Sequence, residues 1–340
     1  MTTTGPPNKA VEARHRHSRG AALLAVLWLA AALSAIAFTL ANTVRGEIER
    51  SSTDADGLKA YYLAEGAIER TLVYIESGSA FPGSNGKAMF EPNRTRVLQL
   101  FYPTGVARVE YIPEDSKLNV NTAPPQELFN LMQALGIVDP ARAQAIVAGI
   151  VDWRGGTPGG SFSLFDQYYL SLTPSFRARH ASLEEIEELL VVRGITPDLF
   201  YGSYTRDAEG RLIRHDGLRD CLSVYGSTGS LDVNTVTPEV MVAVGVPPQT
   251  AAAIVNLRSI VPIHDMGQIA PFAGGKGMGR LGMTVSGPIA TTRATAQLRL
   301  PNGQLSDLHR TVSAMIKQVG PDYNPPFHIL RWYDDVSIPQ

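Results

Sequence analysis

The sequence predicts an α+β protein made of a long N-terminal helix, a small antiparallel sheet and a large inserted α-helical domain with two helix-hairpin-helix-like repeats. Three observations lead to this fold class. A long apolar stretch near the N-terminus carries no charge, strand-like runs occur only near the two ends of the remaining chain, and a motif occurs twice in the middle. With 340 residues, 44% of them hydrophobic, the chain is long enough for two or three domains with their own cores.

The composition disfavours two kinds of function. The 30 Lys and Arg residues nearly balance the 32 Asp and Glu residues, which gives a formal net charge of −2. We therefore expect no general attraction to nucleic acid or to anionic lipid. Cys221 is the single cysteine, so the chain can form neither an internal disulfide nor a cysteine-based metal site.

The apolar stretch at 21–44 is predicted to be a transmembrane helix. No Asp, Glu, Lys or Arg occurs between Arg19 and Arg45, and about 20 apolar residues are enough for a helix to cross the hydrocarbon core. The basic leader at 1–20 stays in the cytoplasm by the positive-inside rule, so the C-terminal bulk lies across the membrane. Apolar residues then recur at three- and four-residue steps, which predicts that the helix continues over 45–77 and ends near Gly78.

Two alternatives remain open for this N-terminus. A secretory signal peptide would end at the small-residue pattern of Ala35, Ile36 and Ala37 and would release a soluble protein. An ordinary uncleaved membrane anchor also fits the length of the apolar stretch.

Strand-like runs flank a helical middle. Runs rich in β-branched and aromatic residues predict strands at 97–100, 106–112, 289–300, 312–319 and 327–333. Between them the sequence is typical of short helices and loops. We therefore place an α+β domain at 78–115 and 282–340, and an inserted α-helical domain at 116–281.

The inserted domain contains an internal repeat. LNVNTAPPQELFNLMQALGI followed by ARAQAIVAGI matches LDVNTVTPEVMVAVGV followed by TAAAIVNL, which aligns Asn121 with Asn234. In each copy a proline opens a helix, and a turn at Gly136 or Gly245 leads into a second helix.

This helix-hairpin-helix pattern has two interpretations. Such hairpins can bind DNA phosphates through backbone N–H groups, so the alternative function is a membrane-anchored nucleic-acid-binding protein of the DNA-uptake type. The turns LGIVDPAR and VGVPPQTA are poor in N–H donors and in positive charge. We therefore expect a compact packing unit and no nucleic-acid partner.

The start of the chain resembles the type IV pilins and pseudopilins. A basic leader ends in glycine at the mouth of an apolar stretch, and one long helix is membrane-bound first and amphipathic later. The resemblance implies that a prepilin peptidase cleaves between Gly20 and Ala21, with methylation of the new N-terminus. Members of that class usually carry a large apolar residue at the first mature position and a glutamate at the fifth, where this chain has Ala21 and Ala25.

Several ordered motifs narrow the resemblance. They are DSKLNVNTAPPQELFNLM (115–132), AIVAGIVDWR (145–154), the pair Tyr168 and Tyr169, LEEIEELLVVRGITPDLFYG (183–202) and LDVNTVTPEVM (231–241). Together they are similar to the general secretion pathway protein K family, the large minor pseudopilin of type II secretion systems. The resemblance implies a pilin-like α+β domain with a helical insertion, located at the tip of a periplasmic pseudopilus. There it would initiate and cap assembly for protein export across the outer membrane. The family typically lacks the fifth-position glutamate, which agrees with Ala25.

The resemblance also implies partners and a location. The partners are the other minor pseudopilins of the tip complex, the major pseudopilin, the prepilin peptidase, the inner membrane and secreted substrates. The protein would span the inner membrane once, with its C-terminal bulk in the periplasm.

The motif residues are expected to be structural. Aromatic side chains dominate packing energetics, so we expect Trp153, Tyr168 and Tyr169 in a core or an interface. Asn119 and Asn121 are expected to act as turn and cap residues, because Asx side chains bond to nearby backbone N–H groups. Asn234 is the aligned position in the second repeat.

Neither catalysis nor a strong metal site is indicated. The sequence has no HxxxH pair and no G-x-S-x-G nucleophile elbow, so we expect no enzyme. The G-x-G-x-x-G match at 277–282 lacks a preceding buried strand and is expected to be a flexible connector. The resemblance implies that family members can bind calcium in the insertion, where Asp152 and Asp166 are the candidate ligands. The further acids expected after Arg154 are missing.

Overall fold

A computed structural model describes residues 2, 12–80, 82–83, 86, 89–90, 96–156, 161–272, 276–283, 287–320 and 323–334. The chain divides into two compact units, Met1–Lys59 and Ala60–Gln340. The α-helices in chain order are α1 Glu12–Glu76, α2 Pro125–Ala134, α3 Pro140–Arg154, α4 Leu164–Leu170, α5 Pro197–Tyr201, α6 Leu218–Cys221, α7 Pro238–Ala243 and α8 Pro248–Ile260. The strands are β1 Val97–Tyr102, β2 Gly105–Pro113, β3 Leu118–Asn119, β4 Ser203–Arg206, β5 Leu212–His215, β6 Leu222–Ser223, β7 Leu231–Asp232, β8 Leu281–Gly282, β9 Ile289–Arg299, β10 Leu305–Gln318 and β11 Phe327–Tyr333.

The long N-terminal helix is confirmed. α1 is continuous over 65 residues, and from Ala21 onward it is long and apolar enough to be a candidate membrane span. Its last turns belong to the second unit, where Ala60, Ala64, Ile68 and Leu72 are buried at four-residue spacing. Ala64, Ile68 and Leu72 pack in one hydrophobic cluster with residues of the sheet, as the amphipathic pattern predicts.

The five predicted strands form one antiparallel sheet in the order β1-β2-β9-β10-β11. β10 begins earlier than predicted, at Leu305, because its first residues pair with β9 across a shift of register between Leu305 and His309. Such an irregularity removes the alternation of polar and apolar residues on which the prediction depends. The chain leaves the sheet after β2 and returns to it at the neighbouring strand β9.

The intervening segment has its own hydrophobic core. Residues from Leu118 to Leu281 form a buried cluster separate from the cluster beneath the sheet. Helix pairs α2–α3 and α7–α8 supply much of it, and α2 also contacts α7. Short strands pair as β3 with β6, β4 with β5, and β7 with β8, and the sequence did not predict these pairings. Strands of two to four residues are too short to show a period of two.

The glycine-rich motif at 277–282 is not an open connector. Lys276–Arg280 forms a short 3₁₀ helix that leads into β8. A Cβ atom on Gly277 would lie 2.5 Å from the backbone nitrogen of Val246, in the turn between α7 and α8. The motif therefore supplies a close approach of two backbones, which is a structural use of glycine.

Candidate functional site

The N-terminal segment presents a wide apolar surface. Gly20 and Ala21 both lie within α1 with helical backbone, whereas most of the predicted leader before Glu12 lies outside the described residues. Large apolar side chains of the following turns project outward, with Trp28 75% and Phe38 68% exposed. Apolar surface of this extent requires a cover, either of lipid or of other protein chains. Ala25, at the fifth position after Gly20, is part of this uncharged surface.

The aligned asparagines of the two repeats play the same role. Asn121 donates from Nδ2 to the Leu183 carbonyl oxygen at 3.0 Å and accepts from the Leu183 backbone N–H at 2.7 Å. Asn234 makes the same pair of bonds with Ile263, at 2.9 Å in both directions. Each side-chain amide thereby makes the two hydrogen bonds that a residue of a neighbouring β-strand would make. These bonds connect a distant loop to the start of the repeat. We call these two pairs the amide clasps.

Asn119 holds the backbone of Asn121, the first clasp residue, in place. Its Oδ1 accepts the backbone N–H of Asn121 at 2.9 Å, which is the Asx turn expected from the sequence. Its Nδ2 donates to the carbonyl oxygens of Val224 and Gly226, at 3.1 and 3.2 Å. The side chain therefore links the first repeat to the segment between β6 and β7.

Two arginines brace the repeats in parallel ways. Arg154, at the end of α3, donates to the carbonyl oxygens of Val120 and Ala123 at 2.5 and 2.7 Å. Arg258, near the end of α8, donates to the carbonyl oxygen of Val233 at 2.7 Å. Burial lowers the pKa of the Arg258 guanidinium to about 10. Arg258 carries no sequence signal beyond its place near the end of a helix.

The two hairpin turns use their backbone donors internally. The glycines Gly136 and Gly245 have φ of 90° and 97°, the left-handed region that glycine adopts without strain. In both turns the glycine N–H and the next N–H donate back into the preceding helix; the acceptors are Gln133, Met132, Val242 and Met241. These N–H groups are therefore not free to bind a phosphate.

The aromatic residues of the motifs are packed as predicted. Trp153 and Tyr169 are buried and meet edge to face, with ring centroids 5.6 Å apart. Tyr168 is half-buried and lies under the Arg193 guanidinium, 4.6 Å from its ring centre. The Trp153 Nε1 donates to Glu188 at 3.1 Å. Glu188 therefore contributes to this aromatic cluster. The acidic run to which it belongs, Glu184, Glu185, Glu187 and Glu188, is otherwise typical of a helix face exposed to solvent.

The two predicted calcium ligands come together, but around a histidine. Asp152 lies in the last turns of α3, and Asp166 lies in the first turn of α4, where it closes a capping box with Ser163. The Asp166 carboxylate accepts the Ser163 N–H at 3.0 Å and the Ala178 N–H at 3.2 Å. His180 reaches in between, with Nε2 2.9 Å from Asp166 Oδ2 and Nδ1 3.1 Å from the Asp152 carbonyl oxygen.

The pKa values of this pair shift in opposite directions. Burial alone would raise the pKa of Asp166, but the hydrogen bonds from Ser163, His180 and Ala178 hold it below its usual range. Burial alone would lower the pKa of His180, but its bonds to Asp166 and to the Asp152 backbone raise it. The pair therefore favours a carboxylate beside an imidazolium.

A charged cavity of about 320 Å³ lies between the sheet and the helical segment. Arg214 donates to Asp216 at 2.5 Å and to Asp220 at 2.6 Å, and Arg293 of β9 lies 3.7 Å from the same Asp220 carboxylate. Burial would raise the pKa of Asp220, but the two arginines hold it below its usual range. These ion pairs connect the sheet to the helical segment, which gives them a structural role.

Comparison with known proteins points in one direction. A family model described as type II secretion system (T2SS), protein K, matches residues 109–201, from β2 to the end of α5. A chain of the crystal structure of the GspK-GspI-GspJ complex from the enterotoxigenic Escherichia coli type 2 secretion system has a similar fold, with a TM-score of 0.50 and 16% identity. The similarity covers 86% of this chain and 99% of that chain. No curated protein matches this chain.

Proposed function

We propose that this chain is a minor pseudopilin of the type II secretion system, of the protein K family, and that it forms the tip of the pseudopilus. The observation that carries the proposal is the exposed, uncharged surface of α1 after Gly20, followed by a folded unit that includes a large helical insertion. The tip subunit initiates and caps the assembly that exports proteins across the outer membrane. We infer that its role is structural.

The sequence of the membrane segment favours a position at the tip of the pseudopilus, where no further subunit lies beyond this one. The resemblance to pilins implies that a glutamate at the fifth mature position pairs with the N-terminal amine of a neighbouring subunit. A lone carboxylate at the bilayer centre costs about 2.5–3.5 kcal/mol on insertion scales. A subunit that never makes that pair is more stable with Ala25. Ala25→Glu should therefore reduce secretion by an otherwise wild-type system, and unchanged secretion would contradict this step.

The bulk of the insertion supports the same place. The segment 116–281 carries its own core and departs from the sheet between neighbouring strands. A subunit stacked on top of it would meet this extra mass, whereas at the end of a filament the mass is harmless. We further propose that α2–α3 and α7–α8 are a duplicated helix-hairpin-helix unit, supported by their matching turns and amide clasps.

The remaining partners follow from this place. We infer contacts with the other minor pseudopilins and the major pseudopilin, cleavage by a prepilin peptidase, and an encounter with secreted substrates. The chain would cross the inner membrane once and hold its folded bulk in the periplasm. Binding of DNA is not favoured, because the turn N–H groups that would hold phosphates already donate to helix carbonyls.

Site-directed crosslinking tests the tip position. Cys221 is buried, so a single introduced cysteine would be the reactive one. Ile48→Cys on α1 should crosslink to pseudopilins, whereas Val138→Cys and Ile260→Cys on the insertion should not crosslink to the major pseudopilin. All three positions are well exposed, at 65%, 88% and 81%. A crosslink from either insertion position to the major pseudopilin would show an internal subunit and overturn the proposal.

A further inference from the structure

The contact between His180 and its two partners defines a protonation state by geometry. Both ring nitrogens face atoms that can only accept a hydrogen bond, namely the Asp152 carbonyl oxygen at 3.1 Å and the Asp166 carboxylate at 2.9 Å. A neutral imidazole has only one N–H group. At one of the two contacts, the lone pair of the other ring nitrogen would then face a lone pair of the oxygen atom. Both contacts are satisfied together only by the imidazolium, which carries a positive charge.

The Asp166 carboxylate accepts three hydrogen bonds from within the chain. Its side chain is 0% exposed. It accepts two backbone N–H groups and the His180 ring, and Asp152 in turn accepts the Ser163 hydroxyl at 3.1 Å. A buried carboxylate needs a counter-charge as well as hydrogen bonds. His180 supplies that charge from within the chain.

The backbone at His180 is held in an unusual conformation by the same contacts. Its φ is 49°, in the left-handed region, and it is the one non-glycine residue with positive φ among those that the structure describes. Such a conformation persists where the surroundings over-determine it. Here the ring is fixed on both sides, which places the loop segment 171–185 against the ends of α3 and α4.

We propose that His180 is a built-in cation that takes the place of a divalent metal ion, so that the loop segment 171–185 is held in this chain without calcium. Calcium requires about six to eight oxygen ligands. Within the described part of the chain, no group of three or more acidic, His or Cys side chains is arranged to hold a metal. The Asp166 oxygens already bond to the donors named above, and an imidazolium repels a cation. The described residues around Asp152 and Asp166 therefore do not fit calcium.

Limited trypsin digestion of the full-length protein in detergent provides a local test. Arg177 and Arg179 are exposed residues of the loop segment, so cleavage after them reports its opening. Cleavage after Arg211, whose side chain is 76% exposed in the turn between β4 and β5, corrects for the effect of calcium on trypsin itself. Mass spectrometry assigns each cut.

The wild-type protein should be cleaved in the loop segment at the same corrected rate with excess calcium and with a chelator. His180→Asn removes the charge, yet asparagine tolerates left-handed backbone. This variant should be cleaved about tenfold faster, because charge-assisted hydrogen bonds are lost. His264→Asn, at an exposed histidine outside the loop segment, is the matched control and should cleave like the wild type.

A double variant separates the ion pair from general destabilisation. If His180 acts through Asp166, the effects of His180→Asn and Asp166→Asn will not multiply in the double variant, since each removes the same interaction. Multiplying effects, calcium protection of the wild-type segment, or wild-type behaviour of His180→Asn would each overturn the proposal. Calorimetry with calcium alone should give no saturable heat, and saturable binding would overturn it too.

Discussion

Removing the first amide clasp is the sharpest test of the repeat interpretation. Asn121 both donates to and accepts from the backbone of Leu183, at 3.0 and 2.7 Å, and Leu183 itself is buried. A neutral hydrogen bond contributes about 0.5–1.5 kcal/mol net, so Asn121→Ala should cost about 2 kcal/mol. Asn121→Asp keeps the acceptor but turns a carboxylate oxygen toward the Leu183 carbonyl, so it should cost at least as much.

Hydrogen exchange followed by mass spectrometry measures this cost locally. A loss of about 2 kcal/mol corresponds to about 30-fold faster exchange of the segment around Leu183. Asn234→Ala should produce the same change around Ile263, because its two bonds are equivalent. Asn302→Ala, in the exposed turn after β9, removes bonds to Gln304 within that same turn, so it is the control for a local effect and should leave exchange around Leu183 unchanged. If Asn121→Ala behaves like this control, or Asn121→Asp like the wild type, the clasp does not carry the role assigned to it.

Three further predictions concern other parts of the chain. Gly20→Leu should leave full-length precursor in the membrane, detected by N-terminal sequencing; normal processing would contradict the cleavage site. Gly277→Ala should lower the melting temperature more than Gly279→Ala in the same motif, because its Cβ would lie 2.5 Å from a backbone nitrogen whereas nothing lies within 4 Å at Gly279. Burial would raise the pKa of Glu114, but Lys117 and hydrogen bonds from Ser223 and Thr291 hold that pKa below its ordinary value. The ionised Glu114 therefore stabilises the fold above the ordinary glutamate pKa of about 4.3, and this stabilisation is lost as pH falls through the lower pKa of the folded state. Glu114→Gln should therefore flatten the acid side of a stability-against-pH curve and, by leaving Lys117 buried without its partner, cost about 3–5 kcal/mol at neutral pH; an unchanged acid side would refute the assignment.

The sequence alone determined the features that depend on local pattern. The candidate membrane helix follows from an uninterrupted apolar composition, because the transfer of each side chain into lipid adds along the helix. The five strands of the main sheet follow from runs of β-branched and aromatic residues. The alignment of Asn121 with Asn234 correctly paired two positions that make equivalent bonds. The exposed apolar surface of 21–44 and the turns at Gly136 and Gly245 could likewise be predicted without knowledge of the tertiary structure.

Only the tertiary structure brought together groups that lie far apart along the chain. The pairing of β3 with β6 and of β7 with β8 involves two-residue strands, whose pattern is too short to read. Nothing in the sequence around Arg258 predicts that its guanidinium donates a hydrogen bond to the Val233 carbonyl oxygen.

The calcium expectation illustrates the same limit. The family resemblance made Asp152 and Asp166 candidate ligands but gave no sign that His180 lies between them. Long-range electrostatic partners are selected by packing, which no local pattern encodes.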